Sequence, residues 1–469
     1  MLMKRIASLL ICIGSVVAAQ ALDVVCEAGL LSTKISDPQT VTDLVVTGSA
    51  DASDFYFIDR CMPALRSLDI SSLDIREYTG EALGGRRHYA GGTIPAGVFA
   101  GSNIASLSLP RDCAVGDFAF SGCPLREVTL PAGTVFGDGV FAYCTALEKV
   151  SVSAGVSVGR SAFRGCVALA AVDGSDYLSA VPASAFEDCA ALGAFAFGSG
   201  LRSVGEGAFA RTALAEVAME ECTSLDSIGA WAFAGDAALV CVALPAHLAA
   251  VGEGAFFECT SLSGITLPDG MTSLPPYVLK DAAALQTFAL PAATERVGQY
   301  ALMGVSGVSA IELPASLQML DHGAMEGMSS LAHIDAASLT AVPSLGDDVW
   351  ASVEQGSVQL HVDPSLAQSF LSTPQWQEFK IENTSTGTGA ATVADKTVRA
   401  AFAGTLLIVE STGCDLSSVE VYDVSGRTLF SVAADSTRMG IDTSHSEASV
   451  YIVACTLADG TRGTVKIVR

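Results

Sequence analysis

The stretch VGEGAFFECTSLSGITLP, residues 251–268, is one complete unit of a pattern that recurs down the middle of the chain. A bulky apolar residue stands at the position of Phe256 in eleven units, at intervals of 21 to 24 residues. These anchors are Phe99, Phe120, Phe141, Phe163, Phe186, Phe209, Phe233, Phe256, Leu279, Leu302 and Met325. So regular a period is typical of a solenoid, in which each unit is too small to bury its own apolar face and is stable only when stacked.

Each unit also contains a short alternating segment, which reads GITLP at residues 264–268. Ile265 and Leu267 predict a strand with one face inside the coil, and Pro268 ends it because proline has no amide hydrogen. We expect these strands to stack into one long parallel sheet. On the other side of the coil, the Val251-Gly252 pair predicts a corner, where glycine serves either a positive φ or a close approach of two backbones.

The combined pattern A-F-x-x-C-x-x-L-x-x-V-x-L-P, complete at residues 255–268, resembles the BspA-type leucine-rich repeat of bacterial surface proteins. Residues 28–71 resemble the entry segment of that family, and residues 360–379 resemble its exit. The resemblance implies a repeat solenoid that is mainly β, with parallel strands stacked along one axis. It also implies adhesion to host extracellular proteins or contact with other bacteria.

The composition changes after the repeats. Residues 383–392, NTSTGTGAAT, predict a flexible Ser/Thr/Gly linker. Beyond it the phenylalanine period ends, and alternating segments such as residues 406–410, 419–422 and 450–455 predict a small β-sandwich.

The C-terminal segment resembles the sorting domain of the type IX secretion pathway through residues 421–427 (VYDVSGR), 451–453 (YIV) and 463–469 (GTVKIVR). That family usually places a glycine shortly before the tyrosine, whereas Ala448, Ser449 and Val450 precede Tyr451 here. The resemblance implies a route across the outer membrane. The alternative is a β module that has only a structural role.

The N-terminus predicts export. Lys4 and Arg5 precede an apolar stretch at residues 6–17, and Ala19-Gln20-Ala21 provides a small-x-small cleavage site. A membrane-spanning helix is the alternative, but the run is shorter than the ~20 residues that a bilayer requires. The predicted domains are a signal peptide (1–21), an N-terminal capping segment with atypical leucine-rich repeats (22–95), a leucine-rich repeat solenoid with a terminal cap (96–382), the linker (383–392) and the β-sandwich with its sorting-like features (393–469).

The chain is acidic, with a formal net charge of −25 over 469 residues, of which only 16% are charged. Such a surface repels nucleic acid and anionic membranes, so neither is a predicted partner. The charge either keeps an exposed array soluble or forms a patch for basic partners.

The sequence offers little chemistry for catalysis. Its six histidines are scattered, and it contains neither an H-E-x-x-H nor a G-x-S-x-G motif. We therefore predict no catalytic residue, no cofactor and no metal site. The one enzymatic alternative places a site near Arg86, Arg87 and His88, where no nucleophile or acid/base pair can be named.

Five of the thirteen cysteines occupy the same repeat position, three residues after an anchor. They are Cys123, Cys144, Cys166, Cys189 and Cys259. This position predicts an internal column of buried thiols, because a small and weakly polar side chain packs well there. The alternative is a disulfide framework, for which Cys26 with Cys61 and Cys414 with Cys455 are better candidates.

The outward positions of the predicted sheet are small and mostly uncharged in the middle of the array. The predicted protein-binding face comprises Ala194, Ala196, Ala218, Cys241, Ala243, Gly264, Thr266, Thr287, Ala289 and Glu312. If this face is concave, it suits an extended chain or a flat protein surface. Alternatively, small residues are needed there only to let the coils curve tightly.

These features together predict a secreted or cell-surface, non-enzymatic protein with an adhesin-like role. Its predicted partner is a protein or other macromolecule, such as a host extracellular protein, and self-association is possible. The mature chain is predicted to have no transmembrane segment. The alternative function is a self-associating structural scaffold of the cell envelope.

Overall fold

The computed structural model describes residues 20–81, 86–382, 389–393, 396–403, 406–412, 414–423, 427–446, 448 and 450–468. The predicted signal peptide therefore lies outside the described residues except for Gln20 and Ala21, as do residues 383–388 of the predicted linker and residues 424–426 of the sorting-like motif. The chain forms two compact units, one of residues up to 331 with 343–353 and one of residues 332–342 with 354 onward. Among the described residues, none of the helices has the length and apolar character needed to cross a bilayer.

The strands are short and numerous. In chain order they begin with β1 (Gln20–Cys26), β2 (Val41–Ala50), β3 (Ser67–Asp69), β4 (Leu73–Ile75), β5 (Tyr78–Glu81), β6 (Arg86–Tyr89), β7 (Thr93–Ile94), β8 (Ser106–Ser108), β9 (Ala114–Val115), β10 (Glu127–Leu130), β11 (Val135–Phe136), β12 (Lys149–Val152), β13 (Ala171–Asp173), β14 (Ser203–Val204), β15 (Glu216–Ala218), β16 (Ser227–Ile228), β17 (Cys241–Ala243) and β18 (Ala250–Val251). They continue with β19 (Gly264–Thr266), β20 (Ser273–Leu274), β21 (Arg296–Val297), β22 (Ala310–Glu312), β23 (Met319–Leu320), β24 (His333–Ala336), β25 (Ser344–Leu345), β26 (Gln359–Val362), β27 (Lys380–Glu382), β28 (Gly389–Val393), β29 (Lys396–Ala403), β30 (Leu406–Ser411), β31 (Leu416–Asp423), β32 (Thr428–Ser436), β33 (Arg438–Asp442), β34 (Val450–Leu457) and β35 (Arg462–Val468).

Helices are few. The α-helices are α1 (Leu31–Lys34), α2 (Ala52–Cys61) and α3 (Ala367–Ser372), and 3-10 turns occur at Pro38–Thr40, Ser175–Tyr177, Gln355–Ser357 and Trp376–Glu378. The longest helix, α2, starts with a capping box between Asp51 and Asp54. Asp54 also accepts hydrogen bonds from the backbone nitrogens of Gly29 (2.7 Å) and Leu31 (3.0 Å). This helix places the ring of Phe55 edge-on against Phe99, 6.3 Å away, and so covers the first anchor of the repeats.

The first unit is the predicted solenoid, built from two kinds of parallel ladder. One kind contains the strands predicted from the L-x-x-V-x-L-P segment, as in the sheets β10-β12-β13 and β15-β17-β19. The other contains two-residue strands at the Val-Gly corners, as in β14-β16-β18 and β20-β21-β23-β25. Pairing is in register, so Val217 lies beside Val242 and Val242 beside Ile265. The predicted fold class is confirmed.

Two coils depart from the predicted strand, so the expected single long sheet is divided into the separate ladders β10-β12-β13, β15-β17-β19 and β22-β24-β26-β27. The structure assigns no strand to residues 192–198 or 286–290, all of which it describes. In the first of these segments Phe195 and Phe197 contact the ring of Phe209 at 4.8 and 5.6 Å. Two bulky rings at neighbouring inward positions take more room than the Val and Ile of other coils, and we attribute the missing strand in this coil to that difference.

The anchors form the core of the first unit. All eleven are buried, and the eight phenylalanines stack in sequence with centroid distances of 5.3 to 5.9 Å. Adjacent rings become nearly parallel toward the middle, where Phe209 and Phe233 differ by 2°. This spacing lies in the favourable range for aromatic pairs. The series continues with buried Leu279, Leu302 and Met325.

The corner glycines are explained by close approach and not by a positive φ. A Cβ built on Gly252 would lie 2.3 Å from the nitrogen of Ala230 in the preceding coil, and one on Gly205 would lie 2.4 Å from the nitrogen of Ala183. Neither glycine has a positive φ. The left-handed conformation occurs two residues later, at Gly207 (φ 59°) and Gly254 (φ 57°). Of the two explanations that the sequence left open, close packing of the coils is therefore the correct one.

The second unit begins with the parallel strands β24, β26 and β27, and a 3.1 Å contact between Asp335 and His361 joins the first two of them. Beyond them, two four-stranded antiparallel sheets have the orders β28-β29-β30-β33 and β32-β31-β34-β35. Side chains of both sheets, including Val398, Val409 and Tyr451, share one buried cluster. This arrangement agrees with the predicted β-rich C-terminal domain.

The close-approach explanation can be tested at Gly252. An alanine there requires the Ala230 backbone to move, so we expect Gly252→Ala to lower the free energy of unfolding by about 1–3 kcal/mol. Urea denaturation followed by circular dichroism measures this change. Gly264→Ala is the matched control, because a Cβ there meets no described atom within 4 Å. Equal midpoints for the two variants would contradict the explanation.

Candidate functional site

Five of the ten predicted face residues lie together in two adjacent columns. Cys241 of β17 is paired with Gly264 of β19, and Ala243 is paired with both Thr266 and Ala218. Ala218, Cys241 and Thr266 are exposed, while Ala243 and Gly264 are half-buried. The columns flank the inward row of Val217, Val242 and Ile265, which fixes them over the core. The result is a patch of small side chains on a hydrogen-bonded sheet, here called the central patch.

The other five residues are placed less regularly. Ala194, Ala196, Thr287 and Ala289 are exposed, but they lie on the two segments without an assigned strand. Glu312 is exposed at the end of β22. The central patch is therefore the best-defined part of the predicted face.

Charged residues on and just before the equivalent strands of earlier coils pair with one another. Lys149 of β12 lies 2.6 Å from Asp173 of β13, and Arg126 lies 3.4 Å from Glu148. Because these side chains are exposed, such pairs contribute little to stability. Around the central patch, Glu216 is exposed beside Cys241, so the patch has an acidic edge.

The structure places the predicted cysteine column in the interior. Each thiol donates a 3.2 Å hydrogen bond to the carbonyl of the anchor phenylalanine in the preceding coil: Cys123 to Phe99, Cys144 to Phe120, Cys166 to Phe141, Cys189 to Phe163 and Cys259 to Phe233. Burial raises the pKa of Cys189 to about 12, which removes its thiolate at neutral pH. These thiols are consequently structural.

Cys241 differs from the other cysteines. Of the twelve cysteines in the described part of the chain, all are free and only Cys241 is exposed. It lies in the central patch between Glu216 and Gly264. This thiol can therefore carry a thiol-reactive label on the predicted face.

Asp236 occupies the same repeat position as the buried thiols, three residues after Phe233. Its Oδ1 accepts hydrogen bonds from the nitrogen and hydroxyl of Thr212 at 2.6 and 3.1 Å, while its Oδ2 has no hydrogen-bond partner among the described residues. Burial raises the pKa of this carboxyl to about 8, and the bonds from Thr212 and the charge of Arg211 oppose that rise. The acid is therefore mostly neutral at pH 7.

The remaining chemistry is sparse. Among the described residues no three histidine, cysteine, aspartate or glutamate side chains are grouped so that they could hold a metal ion. His88, in the hairpin of β5 and β6, lies 3.0 Å from the Thr79 hydroxyl and 3.8 Å from Glu77. Both contacts involve the same ring nitrogen, Nδ1, so His88 does not link the hydroxyl to the carboxylate as the histidine of a catalytic triad does.

A groove of about 350 Å³ is a second surface feature, and the sequence analysis did not identify it. Trp231, Phe257, Glu206, Arg211 and Glu258 are among its lining residues. The sequence feature that indicates it is the residue type two positions after each corner glycine, where Trp231 follows Gly229. That position holds Gly, Ser or Asp in most coils but an aromatic residue at Phe118, Trp231, Tyr277 and Tyr300.

Residues 92–215 and 226–352, together more than half of the chain, match the family described as BspA type Leucine rich repeat region, in six copies. The chain belongs to the BspA-type leucine-rich repeat family. Its C-terminal residues 386–469 match a second family, described as a domain of unknown function, DUF8694. A search of curated proteins gave no match.

Several solved structures of repeat proteins are similar to this BspA-type chain. A leucine-rich repeat protein from Bacteroides ovatus is 23% identical over 51% of this chain and 63% of its own, with a TM-score of 0.46, so the match spans less than two thirds of that protein. One from Eubacterium ventriosum is 15% identical over 70% of this chain and 88% of its own, with a TM-score of 0.41. A leucine rich cell surface protein from Faecalibacterium prausnitzii is 19% identical over 55% and 85%, with a TM-score of 0.26.

The titration of Asp236 predicts a pH dependence of stability. Its folded pKa lies above its ordinary value of 3.8, so the folded state holds a proton that the unfolded state loses. The stability from this proton is complete below about pH 4 and is lost as the pH rises toward about 8. Asp236→Asn keeps an acceptor for Thr212 and cannot titrate. We expect the unfolding midpoint of the native chain to fall relative to Asp236→Asn between pH 5 and 8, and parallel pH profiles would contradict the assignment.

Proposed function

We propose that this BspA-type protein acts at the cell surface or outside the cell as a non-enzymatic binding protein. The central patch of β15, β17 and β19 is the proposed contact for a protein partner. The observation that carries this proposal is the pair of columns at Ala218, Cys241 and Thr266, held in register on either side of an inward-facing row. Host extracellular proteins or other bacterial surface proteins are the proposed partners.

The shape of the patch supports a macromolecular ligand. Small side chains let another backbone approach a sheet closely along several coils, so binding free energy comes from breadth of contact. The sheet lies over a core of stacked rings, so little conformational entropy is lost when a partner binds. The acidic edge at Glu216 and the net charge of −25 favour a neutral or basic partner surface.

Cys241 allows the proposed interface to be tested by photo-crosslinking. The mature chain carrying a benzophenone maleimide on Cys241 is illuminated with serum and extracellular-matrix proteins. We expect discrete adducts that are lost when Ala218→Arg and Thr266→Arg are added, because two long cations beside the label block close approach.

The control carries the same label elsewhere in the same coil. Cys241→Ser combined with Ala250→Cys moves the thiol to an exposed position of β18, in the other ladder. Equal adducts from both sites would refute the patch as the interface. Light scattering of the same preparation distinguishes the scaffold alternative, which requires concentration-dependent assembly of the chain with itself.

We further propose that residues 393–469 act as a secretion signal of the type IX pathway. The support is the resemblance of residues 421–427 and 463–469 to such domains, together with the compact antiparallel sheets that would present them. The N-terminal signal peptide would deliver the chain to the periplasm first.

Removing residues 393–469 tests the sorting proposal. In a bacterium that carries the pathway, we expect the truncated chain to accumulate in the periplasm, where protease added to intact cells cannot reach it. The full chain in a strain without the pathway serves as the control and is expected to behave in the same way. Surface display of the truncated chain would contradict the proposal.

A further inference from the structure

The groove beside Trp231 is formed by a different part of the coil from the central patch. The rings of Trp231 and Phe257 lie 5.4 Å apart at 75°, and the ring of Tyr277 lies 6.0 Å from Trp231. Tyr300 follows at 5.5 Å from Tyr277. All four rings are half-buried, and the Lys280 ammonium lies 5.4 Å from the ring centre of Phe257 and 6.0 Å from that of Tyr300. An aromatic row of this kind extends along the coil axis from the groove.

Three of these rings stand on backbone positions that favour glycine. Trp231, Tyr277 and Tyr300 have φ values of 58°, 58° and 53°. The left-handed conformation is unfavourable for L-residues, and bulky side chains rarely adopt it. Equivalent positions in other coils hold glycine, as at Gly207 and Gly254, or a small polar residue, as at Ser161 and Ser184. Strained residues of this kind concentrate at ligand sites.

The glycine of the next coil lets the indole lie flat. A Cβ on Gly254 would come within 2.3 Å of the six-membered ring of Trp231, so only glycine leaves room for the ring over the backbone. The same relation holds between Phe118 and Gly139. The part of the Trp231 ring that remains exposed lines the groove.

Fixed polar groups border the same groove. Arg211 donates from Nη2 to Glu187 and from Nε to Asp188, both at 2.6 Å, and only 14% of the Glu187 side chain is exposed. The Arg211 guanidinium holds the pKa of Asp188 below its usual value. Glu206 and Glu258 add two exposed carboxylates. Carboxylates therefore outnumber cations, and an anionic ligand is disfavoured.

We propose that this groove binds a neutral oligosaccharide, with one sugar ring stacked on Trp231. A pyranose presents an apolar face of C–H groups, which packs on an aromatic ring, and a rim of hydroxyls that both donate and accept hydrogen bonds. The exposed carboxylates of Glu206 and Glu258 are acceptors for that rim. A volume of about 350 Å³ lies within the ~300–1,000 Å³ of ordinary ligand sites.

Quenching of tryptophan fluorescence measures ligand binding at this site. Of the three tryptophans, all of which the structure describes, Trp350 and Trp376 are buried and only Trp231 is partly exposed. The full chain is titrated with cellohexaose, xylohexaose, maltohexaose, chitohexaose and mannohexaose, and separately with heparin and hexalysine. We expect saturable protection of Trp231 from acrylamide quenching by at least one neutral probe, with Kd about 1 mM or tighter. A response to heparin or hexalysine alone, or to none of the probes, overturns the proposal.

A matched pair of variants separates binding from folding. Trp231→Gly installs the residue that other coils use at this position, so the released backbone strain offsets part of the lost packing and the chain should remain folded. We expect it to weaken binding of the active probe by tenfold or more in calorimetry. Phe118→Gly makes the same change in another coil and should bind normally. Equal affinities of the two variants, with both folded by circular dichroism, would also overturn the proposal.

Discussion

The backbone hydrogen bonds between successive coils are the constraint on which the rest of the first unit depends. The anchors show it directly: the nitrogen of Phe209 donates to the carbonyl of Ala232 at 2.8 Å, and that of Phe233 donates to Ala255 at 2.9 Å. Each bond places a residue over its equivalent in the next coil, at the ~4.8 Å spacing of paired strands. Rings therefore stack on rings, thiols contact the carbonyls of the preceding coil, and corner glycines face backbone.

Such stacking restricts the residue types at inward positions and leaves those at outward positions variable. A side chain that packs well in one coil packs equally well in the next, so phenylalanine and cysteine recur at their positions over many coils. The register also fixes a side chain that is poorly suited to the interior. Asp236 is held in the column of thiols, where its Oδ2 has no hydrogen-bond partner among the described residues and burial raises its pKa. The outward positions lie outside this constraint, and there Glu216, Cys241 and Gly264 share one column.

The same distinction explains what the sequence could predict. The anchors, the strands at β15, β17 and β19 and the buried thiols follow from spacing alone, because register forces equivalent residues together. Spacing gives no information on backbone torsions, so it could not decide whether Gly252 serves a positive φ or a close approach of two backbones. The close contact with Ala230 decides for the close approach. Spacing also does not report volume, so the strand predicted at Phe195 is not assigned where Phe197 and Phe209 crowd it. The spacing did not indicate the groove, because Trp231 stands at a regular repeat position and differs from the Gly, Ser or Asp of most other coils only in the size of its side chain.

That departure has a physical meaning within the repeat. At the position of Trp231 the backbone is left-handed in every coil from Gly97 to Asp348, and glycine there avoids a cost of about 1–2 kcal/mol. The fold does not require an aromatic ring, since Gly207 and Gly254 support identical turns on either side. The ring at Trp231 costs stability at a position where glycine suffices, and contact with the proposed ligand would offset that cost. In this solenoid the interior therefore specifies the stack, whereas the exposed positions are free to carry residues that the stack does not need.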